Sequence, residues 1–384
     1  MPGVFHSIKL LDLACDMPGA YACMLLGDMG ADVVRIEPPA GSALHTRSDF
    51  RLWNRGRRSV SLDLSLAAGR EVLERLVARS DVLIATTSPR AARQGRLDFD
   101  TLHRINSRLV YCAISPFGEA HPMADLPADD GVVNAYAGVY GDQGGWQEPP
   151  IYSRLPIASY AAAFLAALGV GAALYAREST RKGQKVYVSM LAACLAMQTG
   201  SIVVGPRVRS WARDARGQQG ANPVYRLYRA SDEWLFIACG NVTFWNKLCL
   251  ALDRVEWLED PRFEGAPWNI PLENRDALRD MIADIMRTKT RAEWLAHLAA
   301  NDVPCAPVQT REQFANHPQV AHNGILSQSN DPVLGRMRAM AVPIKFYDTP
   351  GAPGTAAPQP GEHTAEVLRE LGDDAAKTSK GARP

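Results

Sequence analysis

The chain has 384 residues, 47% of them hydrophobic, and a net charge of +1. That length exceeds one ordinary core and predicts two domains, while the near-neutral charge argues against nucleic acid or an anionic membrane as partner. The seven cysteines are odd in number and form no CxxC pair, so they read as reduced thiols in a cytoplasm, with no zinc site.

The first stretch reads strand, turn, helix, strand. Residues 8–13 are a short apolar run suited to a buried strand, and Pro18 and Gly19 break it. Residues 20–29 carry helical periodicity, Gly30 ends that helix, and residues 31–36 form a second buried strand. Such a βαβ unit seeds an open α/β sheet, whose ligands sit at strand carboxyl ends beside helix N-termini. An amphipathic helix follows over residues 66–79, with Leu66, Val72, Leu73, Leu76 and Val77 on one side. Residues 81–85 read as a strand, 86–96 as a basic loop, 99–105 as a short helix and 109–114 as another strand. A Pro- and Gly-containing loop, a helix over 128–138 and a turn-rich connector at 141–150 come next.

Residues 156–176 are apolar and about long enough to span a bilayer. Their Ala- and Gly-rich composition predicts a central buried helix instead, and no membrane partner is expected. No signal peptide is expected either, since no basic start precedes a long apolar core. Residues 185–189 lead into a helix over 190–199, and residues 206–223, with Arg207, Arg209, Arg213 and Arg216, read as a linker or mobile loop. From residue 224 the pattern changes to antiparallel strands with a turn at Asp232 and Glu233, then helices over 243–252, 274–287 and 291–301. This is a second, α+β domain to about residue 322. A hairpin-like return over 331–346 and a Pro-, Gly- and Ala-rich tail with a helix at 364–371 close the chain.

The segments GADVVRIEPP at 30–39, NRGRRSVSLDL at 54–64 and DVLI at 81–84 stand in the order typical of one family. LHRINSRLVYCAISPFG, LYARESTRKGQKVYVSML, DPRF, WLAHLAANDVPCAPV and DPVLGRMRAMAVPIKF continue the pattern to about residue 347. The chain resembles the family III CoA-transferases, the group that includes formyl-CoA transferase, carnitine CoA-transferase and the α-methylacyl-CoA racemases. The resemblance implies a Rossmann-like open-sheet α/β domain at 1–205 plus 330–384, with a smaller α+β domain and its linkers inserted at 206–329. It also implies two chains interlocked as rings, and an acyl-CoA and a carboxylic acid as substrates. Coenzyme A then enters as a thioester substrate, not as a permanently bound cofactor, and no metal is required.

On the same resemblance, the CoA site comprises Met17, Pro18, Arg57, Arg58, Leu62, Asp63, Leu64, Ser65, Thr86, Thr87 and Arg90. Two adjacent arginines after a Gly turn suit bidentate pairing with phosphate, which the resemblance favours over a solvated basic turn. The loop at 86–96 departs from the family's common ENFRPG; Pro89 survives, and Arg90 offers a cation.

The family's nucleophile stands in a motif P-x-A-D-x-x-x-G, and here the same place reads Pro156-Ile157-Ala158-Ser159, with Ala163 for the glycine. A carboxylate attacking a thioester gives a mixed anhydride that CoA thiolate can reopen; a serine needs a base and gives an ordinary ester. No histidine lies nearby and there is no G-x-S-x-G elbow, so Ser159 reads as a helix N-cap. Asp129 and Asp130 are the other candidates. The resemblance sets Asp129 at a racemase histidine and Asp130 at its aspartate, which argues against a racemase. Adjacent carboxylates can include one with a raised pKa, or simply cap a helix on a solvated turn. Tyr136, Tyr140 and Trp146 fit either an acyl pocket or the core. His103, His121, His297, His317 and His322 suggest no metal site, and the Gly169-Val170-Gly171 run lacks the third glycine of a dinucleotide loop.

Three readings stay open. The first is a CoA-transferase subunit without its own aspartate, paired as a heterodimer with a catalytic family III paralogue, as in the benzylsuccinate CoA-transferase type. The second is a homodimer using Asp129 or Asp130. The third is a non-catalytic acyl-CoA-binding protein on the same fold. The first is carried forward as the leading expectation.

Overall fold

The computed structural model describes residues 2–42, 45, 47–120, 122–141, 150–198, 201–204, 207–210 and 219–372. The chain divides into two compact units, one of residues 1–137, 154–198 and 318–384, the other of residues 138–153 and 199–317. The second unit thus takes in residues 138–153 and ends at 317, where the sequence reading set the small domain at 206–329.

The first unit opens with β1 (Lys9–Leu13), α1 (Met17–Asp28) and β2 (Asp32–Glu37). Pro18 and Gly19 lie inside the first turn of α1 and do not break the chain there. A proline at that place loses only an N–H that has no helical acceptor. The unit continues with α2 (Ser48–Trp53), β3 (Arg57–Ser61), α3 (Ala67–Ala78), β4 (Val82–Ala85), α4 (Pro89–Gln94), α5 (Phe99–Ile105) and β5 (Val110–Ser115). The expected loop at 86–96 therefore contains a helix, started by Ser88, whose hydroxyl accepts the Ala91 N–H. Then come α6 (Asp130–Tyr136), α7 (Ile157–Thr180), β6 (Lys185–Ser189) and α8 (Met190–Ala196).

All six strands are parallel, in the order β3-β2-β1-β4-β5-β6. The order reverses between β1 and β4, which opens a crevice at their carboxyl ends. Strand alternation splits the sheet into two unlike faces. Leu11, Leu13, Val34, Ile36 and Val60 join α3 and α5 in an aliphatic core. On the other face of the same strands lie Asp12, Arg35, Glu37, Arg57 and Ser59, all buried. Asp12 accepts from Arg35 at 3.1 Å and from Arg57, and Glu37 pairs with Arg35 at 3.1 Å and accepts from Ser59 at 2.7 Å.

Helix α7 packs along α1 and over β5 and β6. Ala158, Ala161, Ala162, Ala163, Ala166 and Ala173 are buried, and a Cβ on Gly169 would stand 2.7 Å from Val186, so that glycine serves close helix–strand approach. It is not buried all round. Leu168 and Tyr175 are 67% and 83% exposed, and Phe164 is also exposed. It is the one described helix long and apolar enough to cross a membrane by length and composition.

The second unit holds β7 (Ser201–Val204), β8 (Arg207–Ser210), β9 (Gly220–Asn222), β10 (Tyr225–Arg229), β11 (Trp234–Ala238), α9 (Val242–Ala251), α10 (Leu272–Met286), α11 (Arg291–Ala300), β12 (Cys305–Pro307) and α12 (Arg311–Ala315). β12-β11-β10-β9 form an antiparallel sheet packed on a core containing Trp245, Trp257 and Trp294. The expected linker includes the strand β8, paired with β7; its residues 206 and 211–218 lie outside the described residues, as do Trp146 and His121.

The chain returns to the first unit through α13 (Pro318–His322), the hairpin β13 (Leu326–Asp331) and β14 (Gly335–Met340), and α14 (Thr364–Leu371). His322 is the last residue of α13. Arg51 Nε reaches both oxygens of Asp331, at 2.7 and 2.8 Å, and anchors the hairpin. The strap before α14 covers the open edge of β3. The His363 N–H donates to Ser59 O at 2.9 Å, and Ser61 N–H donates to Thr364 Oγ1 at 2.9 Å.

Removing one partner of a buried ion pair leaves an uncompensated charge. Arg57→Ala should therefore cost about 3–5 kcal/mol of stability in urea unfolding, against less than about 0.5 kcal/mol for Arg287→Ala in an exposed i,i+3 pair.

Candidate functional site

Three sets of residues meet the carboxyl edge of the parallel sheet. The first flanks the switch crevice. β1 runs into Cys15, Asp16, Met17 and Pro18, and β4 runs into Thr86 and Thr87. The Cys15 N–H donates to Thr86 Oγ1 at 2.9 Å, and a Cβ on Gly19 would meet both Ala14 and Thr86 at 2.5 Å, so the two strand exits lie in contact. The sequence expectation for Met17, Pro18, Thr86 and Thr87 thus corresponds to one local place. Cys15 has an exposed surface, but its thiol sits where desolvation and then the Asp16 charge push it above the ordinary value. Asp16 Oδ1 is buried without a hydrogen-bond partner, and desolvation raises this carboxyl to about 6 against pulls from Thr86 and Gly19. Asp16 escaped the sequence reading because nothing local marks it. Only its burial between two strand exits sets it apart.

The second set follows β3. Asp63 Oδ1 accepts from the N–H and hydroxyl of Ser65, at 2.9 and 2.6 Å, holding the turn into α3. These bonds keep the Asp63 carboxyl below its ordinary range. Leu62 is buried and Leu64 packs on the aliphatic core. Arg90, at the start of α4, is exposed, and its guanidinium has no partner among the described residues.

Arg57 and Arg58 correct the sequence expectation. The Arg57 side chain is 0% exposed and is spent on Asp12, Asn54, Trp53 O and Ala20 O. No face of it is open to a phosphate. Arg58 points to the other side of the strand and pairs with Asp32, Glu366 and Glu370. A parallel strand sends neighbours to opposite faces, so two adjacent arginines cannot share one anion there.

The third set is the carboxylate pair. Asp129 is exposed and caps α6, accepting the Val132 N–H at 3.1 Å. Asp130 is half-buried. Its Oδ1 accepts the Ser159 N–H at 2.7 Å, and its Oδ2 accepts from Asn134 at 2.6 Å. Ser159 is 3% exposed and lies at the third position of α7, after the N-cap Pro156. It is therefore not the helix cap. Asp130 performs that task from another helix, and the Ser159 hydroxyl bonds the same carboxylate. Burial raises the Asp130 carboxyl above its ordinary range, against the bonds from Ser159 and Asn134. Asn134, four residues after Asp130, was a readable i,i+4 partner. Tyr21 of α1 meets Tyr160 and Phe164 of α7 edge-on, at 5.3 and 5.7 Å between ring centroids, which ties this set to the helix that leaves the crevice.

The remaining candidates have other surroundings. Tyr136 is 63% exposed and meets Phe117 edge-on. His297 bonds Ala251 O at 2.7 Å and His103 lies against Phe99. Among the described residues, no group of three or more acidic, cysteine or histidine side chains is placed to hold a metal ion.

Residues 5–364 match the family model described as CoA-transferase family III. The formyl-CoA:oxalate CoA-transferase of Escherichia coli O6:H1 is 27% identical, over 96% of this chain and 95% of its own length. A CAIB/BAIF family protein from Brucella suis is 26% identical with a TM-score of 0.82, covering 97% of this chain and all of that one. The Rv3272 protein of Mycobacterium tuberculosis shares the fold, with a TM-score of 0.84 at 24% identity over 95% of this chain and 99% of that one.

A carboxyl raised to about 6 in the fold binds its proton more tightly folded than unfolded, so stability falls as pH rises from about 4 to 6. Asp16→Asn should remove that loss. Urea unfolding should show the variant about 1–2 kcal/mol more stable than the parent at pH 7.5 and no more stable at pH 4.

Proposed function

This chain belongs to CoA-transferase family III, and on that premise we propose that it moves CoA between an acyl-CoA and a carboxylic acid, with Asp130 as the reacting carboxylate. The observation that carries this reading is the 2.7 Å contact between Asp130 Oδ1 and the backbone N–H of Ser159. Ser159 holds the position of the family's nucleophile, so a carboxylate stands there although it comes from another helix. In the proposed reaction a carboxylate oxygen of Asp130 attacks the thioester carbonyl, and the carbon–sulfur bond breaks to release CoA thiolate. The thiolate attacks the aspartyl carbonyl of the resulting anhydride and expels the donor acid. The acceptor carboxylate then reverses both steps and leaves with CoA. The Ser159 N–H at the start of α7 is placed to stabilise negative charge on Asp130 oxygen.

Asp63, Thr86 and Arg90 support an extended CoA along the carboxyl edge. β3 and β4 are three strand spacings apart, roughly 14 Å. The free guanidinium of Arg90 is the cation offered to phosphate in place of the enclosed Arg57. Seven unpaired cysteines agree with a cytoplasmic protein.

A second reading is the subunit that lacks its own nucleophile and pairs with a catalytic paralogue, or two such chains interlocked as rings. What favours it is the apolar face of α7 with Leu168 and Tyr175 open.

Incubation of the purified chain with acyl-CoAs and a hydroxylamine quench tests both. A hydroxamate mapped to Asp130, abolished in Asp130→Asn with a rate loss of about 10³-fold or more, is the expected outcome. No adduct alone, but turnover on co-expression with a paralogue carrying the aspartate, would select the second reading. CoA binding with no turnover in either format would leave an acyl-CoA-binding protein. Because burial raises the Asp130 carboxyl, the acid limb of kcat/KM should fall at a pH above the ordinary carboxylate value of about 3.9.

A further inference from the structure

The first unit carries a cavity of about 270 Å³ that belongs to neither the crevice nor the Asp130–Ser159 pair. It lies on the α4–α5 side of the sheet, over β5 and β6. Tyr111, Ala113 and Ser115 are alternate residues of β5 and share this face, and Tyr111 belongs to the aliphatic core beneath α3 and α5. The hollow exists because Ala113 on the strand and Ala92 on α4 are both short.

Its chemistry is uneven. Phe99 and Tyr111 make an aromatic wall, with ring centroids 6.1 Å apart. At the other end the Ser115 and Tyr187 hydroxyls are 2.5 Å apart and satisfy each other. The other charges are committed. Lys185 pairs with Glu119 at 2.5 Å, and Asp98 is spent on the N–H and hydroxyl of Thr101. Arg93 alone is uncommitted: it is exposed at the rim, and its guanidinium has no hydrogen-bond or ion-pair partner among the described residues.

We propose that this cavity is a second ligand site, which takes a single-ring aromatic carboxylate with its ring against Phe99 and Tyr111 and its carboxylate on Arg93. The volume is below that of pockets for drug-sized ligands and suits one ring. A guanidinium fork matches a carboxylate in geometry and charge, and an aromatic wall holds a ring face or edge. Thr87 lines this cavity and also follows β4 at the crevice, while Phe99, Tyr111 and Arg93 belong to the cavity and to none of the residues assigned to CoA, so CoA and the acid bind at once under this proposal.

Fluorine NMR with 4-fluorobenzoate as the probe tests this on the full chain. The expected result is saturable millimolar binding that weakens about tenfold in Arg93→Ala, the loss of one charge-assisted contact. Arg93 is exposed, so that variant keeps its fold. Ala113→Phe, checked by circular dichroism, should fill the cavity and abolish binding. Saturating CoA should leave the probe bound, as should Asp130→Asn. Absence of saturable binding, equal binding by Arg93→Ala, or displacement of the probe by CoA would each overturn the proposal. The last result would place the acid in the reaction site.

Discussion

Asp12 is the group on which the first unit depends. It sits mid-strand with no exposure, and two arginines converge on it, Arg35 from the adjacent β2 and Arg57 from β3 beyond it. Enclosing a carboxylate is costly unless charged, hydrogen-bonding partners meet it. The pairing holds β1, β2 and β3 in register, because a slip of one residue would turn Arg35 and Arg57 to the aliphatic face. It also extends outward. Arg35 reaches Glu37, Glu37 reaches Ser59 and His45, and Ser59 accepts from Gly361 N–H and His363 N–H in the returning chain. The last residues of the unit are therefore tied to its first strand through one polar layer, while the opposite face of the same strands packs by ordinary aliphatic contact.

That layer decides what the carboxyl edge can offer a ligand. Arg57 is consumed in holding the sheet together, and Arg58 in holding α14. The cation left near the β4 exit is Arg90, on a helix that its own serine cap starts. The crevice also contains a carboxyl, Asp16, which burial raises to about 6. Sheet order does the rest. α1 and α7 both begin at the carboxyl edge because each crosses back to a parallel strand, and their packing brings the Asp130–Ser159 pair to the side where the crevice opens.

The carboxylate at that pair shows how a position and a residue can separate. Ser159, near the start of α7, brings no carboxylate of its own, yet the free N–H groups there still need an acceptor. Asp130 supplies it from α6, held by Asn134 on its own helix, which Cys194 of α8 contacts in turn. Whatever its part in a reaction, the carboxylate is oriented by three helices at once.

Much of the fold was legible in the chain itself. The βαβ opening, the strands near 82 and 110, the helices near 67, 99, 272 and 291, and the closing hairpin and helix follow from hydrophobic period and turn residues, which are local properties. The helix at 89–94 was missed because a charged, apolar-poor turn has no period to read, although its Ser88-Pro89 start was present. The site was less legible. The sequence by itself determined which carboxylates and arginines exist, and that Ser159 stands where an acid was expected. Only tertiary structure decided that Arg57 faces inward, that Asp16 Oδ1 is buried without a hydrogen bond, and that Asp130 reaches Ser159 across 29 residues. A charged side chain has no period; its partner is whichever group the packed helices and strands bring within hydrogen-bond reach.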